Sequence, residues 1–211
     1  MTTKKTIYII RHGETDYNRK GIIQGSGIDS DLNETGRRQA QLFHEAYSST
    51  EFEDVYVSGL KRTHQSVAPF TQNGKKHTVL EELNEINWGI FEGVKSNAQF
   101  QYRYHQIVQR WRRGFLDEPI EGGESPVEMF ERQKRGLDLI LKTTHSSPIL
   151  ICMHGRALRS FLSLMLQTPL KDMDDYPHSN LCLYVIEMNG NKGELKVTNS
   201  TRHLMIDATQ S

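Results

Sequence analysis

Two short, continuous apolar runs stand out in the hydrophobic pattern of this chain. They cover residues 6–10 and 148–153, and their lack of alternation is typical of strands buried on both faces of a sheet. Arg11-His12-Gly13 follows the first run, and His154-Gly155 follows the second. Since the carboxyl ends of parallel strands meet at one edge of a sheet, we expect the two histidines to lie together at that edge.

Elsewhere, apolar residues recur mainly at the spacing of amphipathic helices. Helices are predicted over residues 34–47, 60–68, 96–113, 126–144 and 157–166, with Pro69 ending the second. Further strands are predicted over residues 55–57, 77–80, 181–188 and 194–199, the last two flanking an Asn189-Gly190 hairpin turn. Residues 13–33 form a polar loop, and loops of this length are usually functional.

The alternation of strands and helices predicts an α/β fold. We expect a three-layer αβα sandwich whose mixed sheet is mostly parallel and covered on both faces. The chain has 211 residues, enough for one large domain, and no repeat or linker divides it. We therefore predict a single domain over residues 1–211.

Composition narrows the class of protein. The 26 basic and 26 acidic side chains balance, which argues against nucleic-acid and anionic-membrane partners. The two cysteines, Cys152 and Cys182, lie in apolar runs without metal-type spacing and are interpreted as reduced core residues. No run is long enough to span a bilayer, and the first apolar run is too short for a signal peptide. We therefore expect a cytoplasmic protein.

Five polar side chains are predicted to lie where the elements leave the sheet: Arg11, His12, Arg62, Glu85 and His154. This set suits phosphoryl transfer, because each arginine can hold two phosphoryl oxygens through its planar fork. A neutral imidazole can attack phosphorus, and we assign that role to His12. His154 would donate to a phosphoryl oxygen, and Glu85 would protonate the leaving oxygen and later take a proton from water.

Each of these residues also has a plainer interpretation when taken alone. A single His-Gly is typical of a turn, and an arginine such as Arg62 is typical of a helix surface. The segment Gly25-Ser26-Gly27 lacks the Gly-Lys-Ser/Thr of a P-loop, and the nine histidines show no metal-binding spacing. We therefore expect neither a metal ion nor a cofactor.

The ordered motifs resemble those of the histidine phosphatase superfamily, in the branch that includes cofactor-dependent phosphoglycerate mutase. The resemblance covers roughly the whole chain. It rests on RHGETDYN at 11–18, QG at 24–25, DLNETG at 31–36, SGLKRTHQS at 58–66, LNE at 83–85, Gly89 and Glu92-Gly93, GES at 123–125, and HG at 154–155 with LR at 158–159.

This resemblance implies a phosphohistidine at His12, formed without a metal ion, and supports the roles given above. It also implies a phosphoglycerate mutase-like fold with a helical lid insertion at about residues 86–122. The resemblance also implies six candidates for substrate binding: Thr15, Asn18, Gln24, Gly25, Arg112 and Arg113. Thr15 and Asn18 are expected to contact the phosphoryl group. Arg112 and Arg113 belong to a motif that resembles the one that binds the substrate carboxylate in mutases.

Departures from the mutase pattern favour a phosphatase. The long proline-rich insertion that mutases carry before Gly123 is absent, Trp88 and Ser96 replace a Tyr and a Lys, and Arg156 replaces an Asn. A smaller lid leaves the phosphoenzyme open to water. We therefore predict hydrolysis of small phosphate monoesters, by a monomer or homodimer whose partner is a small phosphorylated metabolite. The alternatives are a mutase and a non-catalytic binder of phosphorylated ligands.

Overall fold

A six-stranded mixed sheet forms the centre of the protein in the computed structural model, which describes residues 4–71, 74–144 and 146–209. The strands are β1 (Lys5–Arg11), β2 (Asp54–Val57), β3 (Thr78–Val79), β4 (Ile149–Met153), β5 (Leu183–Asn189) and β6 (Lys192–Ser200). Their order across the sheet is β3-β2-β4-β1-β5-β6. The first four strands in that order are parallel, and β5 lies antiparallel to both of its neighbours. The predicted α/β fold with a mostly parallel sheet is confirmed.

Helices connect most of these strands. The α-helices are α1 (Asp16–Arg19), α2 (Glu34–Tyr47), α3 (Lys61–Thr71), α4 (Ala98–Arg112), α5 (Pro126–Thr143) and α6 (Gly155–Leu166). Single turns of 3-10 helix occur at Glu81–Leu83 and Gly89–Phe91, with longer ones at Leu170–Asp175 and Arg202–Thr209. Within the described ranges, no helix combines the length and the apolar character needed to cross a membrane.

The core has two parts, one on each face of the sheet. Ile7 and Ile9 of β1 point to the face covered by α5 and α6, whereas Ile10 points to the face covered by α2 and α3. Central strands that are buried on both faces need apolar residues at every position, which explains the unbroken apolar runs in the sequence. The helices on both faces confirm the three-layer arrangement. The first three and last two residues of the predicted domain lie outside the described residues.

Parallel pairing of β1 with β4 positions the two histidines. Arg11 lies opposite Met153 in the register, so both strands end at the same edge of the sheet. The backbone N–H of His12 donates to the carbonyl oxygen of Met153 at 3.0 Å, which extends the ladder by one residue. The expectation that His12 and His154 share an edge is confirmed, because their ring centroids lie 5.2 Å apart.

Three local features differ from the sequence-based prediction. Helix α3 continues through Pro69 to Thr71. Pro69 removes one backbone hydrogen bond, but so little of the helix follows it that the loss is tolerated. The edge strand β3 is shorter than the predicted 77–80, and the polar loop contains the short helix α1. Thr15 and Asn18 begin α1 through a reciprocal capping box, in which asparagine takes the place usually held by Glu or Gln.

Candidate active site

The His12 ring is buried at the end of β1 and oriented by its own turn. Its Nδ1 lies 2.7 Å from the carbonyl oxygen of Gly13, which can only accept, so Nδ1 carries a proton. Burial lowers the pKa of His12 well below its ordinary value, and the charges of Arg62 and Arg11 lower it further. His12 is therefore a neutral imidazole whose Nε2 carries a lone pair.

Close backbone packing fixes the turn that carries His12. A Cβ atom at Gly13 would lie only 2.6 Å from the carbonyl oxygen of Gly36 in α2, so no side chain fits at this position. The backbone N–H of Gly13 donates to Ser66 Oγ at 2.9 Å. Glycine is required here by the approach of two backbones, and that approach sets the direction of the neighbouring imidazole.

The second imidazole, His154, is fully buried and hydrogen-bonded through both ring nitrogens. Arg62 Nε donates to its Nδ1 at 3.2 Å, and because arginine can only donate, Nδ1 is the acceptor nitrogen. Nε2 therefore carries the proton and donates a hydrogen bond to Ser58 Oγ at 2.8 Å. Burial, with the charge of Arg62, lowers the pKa of His154 well below its ordinary value. Donation from His154 to a phosphoryl oxygen therefore requires that oxygen to replace Ser58 as the partner of Nε2.

Arg62 is a fully buried cation with hydrogen-bonding capacity left over. Besides His154, it donates to the carbonyl oxygens of Ile28 at 2.6 Å and Gly25 at 3.2 Å. Burial lowers the pKa of Arg62 to about 10, which leaves it charged at neutral pH. A guanidinium has five N–H donors, so two remain for an incoming anion.

Arg11 is the second cation beside His12. Its Nη1 donates to Nδ1 of His178 at 3.1 Å, and its buried Nε has no hydrogen-bond partner in the described part of the chain. Burial lowers the pKa of His178 to about 2, with a further contribution from Arg11. His178 is thus a neutral acceptor that orients Arg11 and leaves most of its donors available.

The Glu85 carboxyl group is buried against the beginning of α6. One oxygen accepts the backbone N–H groups of Ala157 at 2.8 Å and Ile86 at 2.9 Å. The other accepts the N–H of Arg156 at 3.0 Å. The amides of Arg156 and Ala157 belong to the groups that a helix N-terminus leaves unpaired, and they hold Glu85 close to His154, the N-cap of α6.

The residues predicted to bind substrate fall into two groups, and the first lies with the histidines. Thr15 Oγ1 accepts a hydrogen bond from Gln24 at 2.6 Å. Asn18 Oδ1 accepts from Asn180 Nδ2 at 3.1 Å, and that amide also donates to the carbonyl oxygen of His12 at 3.0 Å. The carbonyl oxygen of Gly25 accepts a hydrogen bond from Arg62. These four residues therefore belong to the hydrogen-bond network around His12 and Arg62.

Arg112 and Arg113 form the second group and lie elsewhere. Both are exposed at the end of α4, and Arg112 pairs with Asp175 at 2.9 Å. Neither is among the residues that line the cavity beside His12. The structure does not bring these two arginines to the other site residues, because α4 ends facing the Leu170–Asp175 turn.

A cavity of about 290 Å³ opens beside the buried groups. Arg11, which precedes His12, and Gly155, which follows His154, both contribute to its wall. Its other lining residues are Asn18, Gly21, Ile22, Ile23, Gln24, Glu85, Trp88, Tyr104, Arg156, Arg159, His178 and Asn180. The cavity therefore borders the residues next to both histidines, and its wall is partly aromatic and strongly basic.

Several of these lining residues had not been assigned a role from the sequence. Arg156 and Arg159 follow His154-Gly155 three residues apart, so the helical period places them on one face of α6. That spacing was a usable signal. Tyr104 lies at core-facing helical spacing in α4, which is typical of a packing residue. His178 and Asn180 lie in an irregular segment before β5 that has no periodic pattern.

Cys152 and Cys182 are buried free thiols, as predicted. Among the described residues, no three side chains of His, Cys, Asp or Glu are grouped so that they could hold a metal ion.

The neutral, buried imidazoles make stability depend on pH. Below pH 6.5 these histidines are protonated in the unfolded chain but stay neutral in the folded protein, so acid destabilises the fold. From pH 7 to pH 5 we expect a loss of about 2 kcal/mol in the free energy of unfolding for each such imidazole. His154→Asn should lose about 2 kcal/mol less over this interval than the unmodified protein, as measured by urea unfolding at both pH values.

The comparison is made within each variant, so a general destabilisation does not affect it. His105→Asn, on an exposed position of α4, is the matched control and should keep the full loss. An unchanged acid sensitivity in His154→Asn would mean that His154 is protonated in the folded state.

Comparisons with known proteins agree with the geometry. The sequence model of the histidine phosphatase superfamily (branch 1) matches residues 7–201. Phosphoserine phosphatase 1 of Hydrogenobacter thermophilus is 26% identical over 94% of this chain and 93% of its own, and a "Probable phosphoglycerate mutase GpmB" of Erwinia tasmaniensis is 32% identical over 77% and 75%. A solved mycobacterial glucosyl-3-phosphoglycerate phosphatase (Rv2419c), 22% identical, has the same fold with a TM-score of 0.83 over 93% of this chain and 99% of its own. The chain belongs to the histidine phosphatase superfamily, branch 1.

Proposed function

We propose that this protein is a phosphatase that hydrolyses small phosphate monoesters through a phosphohistidine on His12. One observation carries the proposal: His12 is held neutral and oriented beside the buried Arg62 and the half-buried Arg11, with Nδ1 bound to the Gly13 carbonyl oxygen and Nε2 without a hydrogen-bond partner among the described residues. The relatives that are named phosphatases support the same reaction class.

In the first step, His12 Nε2 attacks phosphorus. The new N–P bond forms as the ester P–O bond breaks, and the leaving oxygen takes a proton from the Glu85 carboxyl group. Arg11 and Arg62 balance the charge on the phosphoryl oxygens, for which both have N–H donors to spare. The alcohol leaves, and His12 carries the phosphoryl group.

In the second step, water attacks the phosphohistidine. Glu85, now a carboxylate, takes a proton from that water, the N–P bond breaks, and inorganic phosphate leaves. His12 returns to its neutral form and Glu85 to its protonated form, so protons balance over the cycle. In this scheme Arg11 and Arg62 stabilise the negative charge, and Glu85 transfers the protons. We propose a metal-independent reaction on a small phosphorylated metabolite.

Replacing the nucleophile tests the proposal directly. His12→Asn should lower the rate of p-nitrophenyl phosphate hydrolysis by roughly 10⁴-fold or more, because no other group here offers a free nucleophilic nitrogen. Labelled substrate should leave an acid-labile, base-stable phosphoryl label on the unmodified protein and none on the variant. Circular dichroism checks that the fold is kept, and His105→Asn serves as the control. Retained hydrolysis or labelling in His12→Asn would contradict the proposal.

Replacing the acid tests the role of Glu85 through the leaving group. Glu85→Gln cannot deliver a proton, and an alkyl oxygen needs one whereas p-nitrophenolate does not. We expect a loss on the order of 10²- to 10⁴-fold with glycerol 3-phosphate, but a rapid burst of p-nitrophenolate followed by slow turnover with the aryl ester. Glu81→Gln, exposed in the same segment, is the control. An equal slowing of the first turnover on both substrates would assign the proton to another group.

A mutase is the second candidate, because relatives of similar length are named as phosphoglycerate mutases. The chain between the end of α4 and the start of α5 is short, which leaves little to exclude water from a phosphoenzyme. With 3-phosphoglycerate, phosphate release should therefore be faster than conversion to the 2-phospho isomer. Isomerisation that outpaces release, measured in the same reaction mixture, would establish the mutase instead.

A further inference from the structure

Two arginines in the cavity wall share one carboxylate. Arg156 Nη1 and Arg159 Nη1 donate to the same oxygen of Asp174, at 2.5 and 2.6 Å. The other oxygen of Asp174 is buried and has no hydrogen-bond partner among the described residues. This group of three, which we call the Arg-Asp-Arg triad, therefore has two positive charges and one negative charge.

Arg156 of the triad is buried, whereas Arg159 and Asp174 are partly exposed. The side chain of Arg156 is only 4% exposed and that of Arg159 is 22% exposed. The guanidinium of Arg156 lies over the rings of Trp88 at 5.5 Å and Trp111 at 5.7 Å. Contacts with aromatic faces stabilise a cation but do not neutralise it, so the triad keeps an excess of one positive charge away from bulk water.

One donor group of the triad remains unused, since Arg156 Nη2 donates to the Tyr104 hydroxyl at 3.4 Å. Arg159 donates through Nε to the carbonyl oxygen of Tyr176 and through Nη1 to Asp174, but its Nη2 makes no hydrogen bond within the described part of the chain. Both arginines line the same cavity as Arg11 and Glu85. A phosphoryl group held by Arg11 would therefore leave the rest of its molecule within reach of this wall.

We propose that Arg156 and Arg159 bind a carboxylate of the substrate, so that the preferred substrates are phosphate monoesters of small carboxylic acids. The inference rests on the phosphatase function proposed above. A carboxylate matches the triad in two respects: it carries the single negative charge that the triad lacks, and its planar pair of oxygens fits a guanidinium fork. A second phosphate dianion would overcompensate that charge.

Two matched substrate pairs test the inference, since the members of each pair differ in the carboxylate. They are O-phosphoserine with O-phosphoethanolamine, and 3-phosphoglycerate with glycerol 3-phosphate. The unmodified protein should show higher kcat/KM for the carboxylated member of at least one pair, by about 10- to 100-fold. Arg156→Gln and Arg159→Gln should reduce this ratio towards one, mainly by raising KM, and Arg159→Lys should keep part of it.

Controls separate binding from structure. Arg110→Gln removes an arginine that is paired with Glu118 on the exposed side of α4, and it should leave the ratio unchanged. Hydrolysis of p-nitrophenyl phosphate, which lacks a carboxylate, should fall less in the triad variants than hydrolysis of the carboxylated esters. A purely structural role for the triad would lower thermal stability and slow all substrates equally, and that result would overturn the inference.

Failure of this inference is distinguishable from failure of the proposed function. If His12-dependent aryl phosphate hydrolysis is present but neither pair shows a carboxylate preference, only the triad assignment falls. A preference for bisphosphorylated over carboxylated esters would also reject the carboxylate. If His12→Asn hydrolyses aryl phosphate as fast as the unmodified protein, the phosphatase proposal falls first.

Discussion

The parallel pairing of β1 with β4 is the constraint on which the site depends. Because the two strands end in register, the residues that follow them leave the sheet side by side, and two imidazoles meet under one cavity. The same edge holds the N-terminus of α6, whose amides orient Glu85. A shift of one residue in this pairing would turn the apolar side chains of a central strand to the wrong faces. Because such a shift would disrupt packing on both faces of the sheet, the core fixes the register that positions the site.

Burial gives these groups their chemical character. His12 is neutral because burial and two neighbouring guanidinium groups oppose its protonation, while Arg11 and Arg62 stay charged with no carboxylate of the described residues bound directly to either. Uncompensated charge inside a protein is costly, and an anion that enters the site reduces that cost. The positive charge beside His12 therefore favours binding of a phosphoryl group. The basic wall around Arg156 favours a second negative group further along the cavity.

Sequence patterns located the elements better than they located the wall of the cavity. The apolar runs before His12 and His154 carried enough information to place both residues at one edge, because strand burial depends on local composition. Arg112 and Arg156 show the limit of that approach. Both lie near a recognisable motif, yet only Arg156 lines the cavity, since the packing of α4 against the Leu170–Asp175 turn directs Arg112 outward to Asp175.

The sequence by itself determined the α/β class, the two buried strands and the reactive side chains at their ends, because periodicity and motif order are properties of a short stretch of chain. Tertiary structure alone decided which nitrogen of His12 is free, which partners occupy His154, and which arginines share Asp174. Those outcomes depend on packing between distant segments, because Gly36 and Ser66 fix the turn that orients His12, and Ser58 reaches His154 across 96 positions of the sequence.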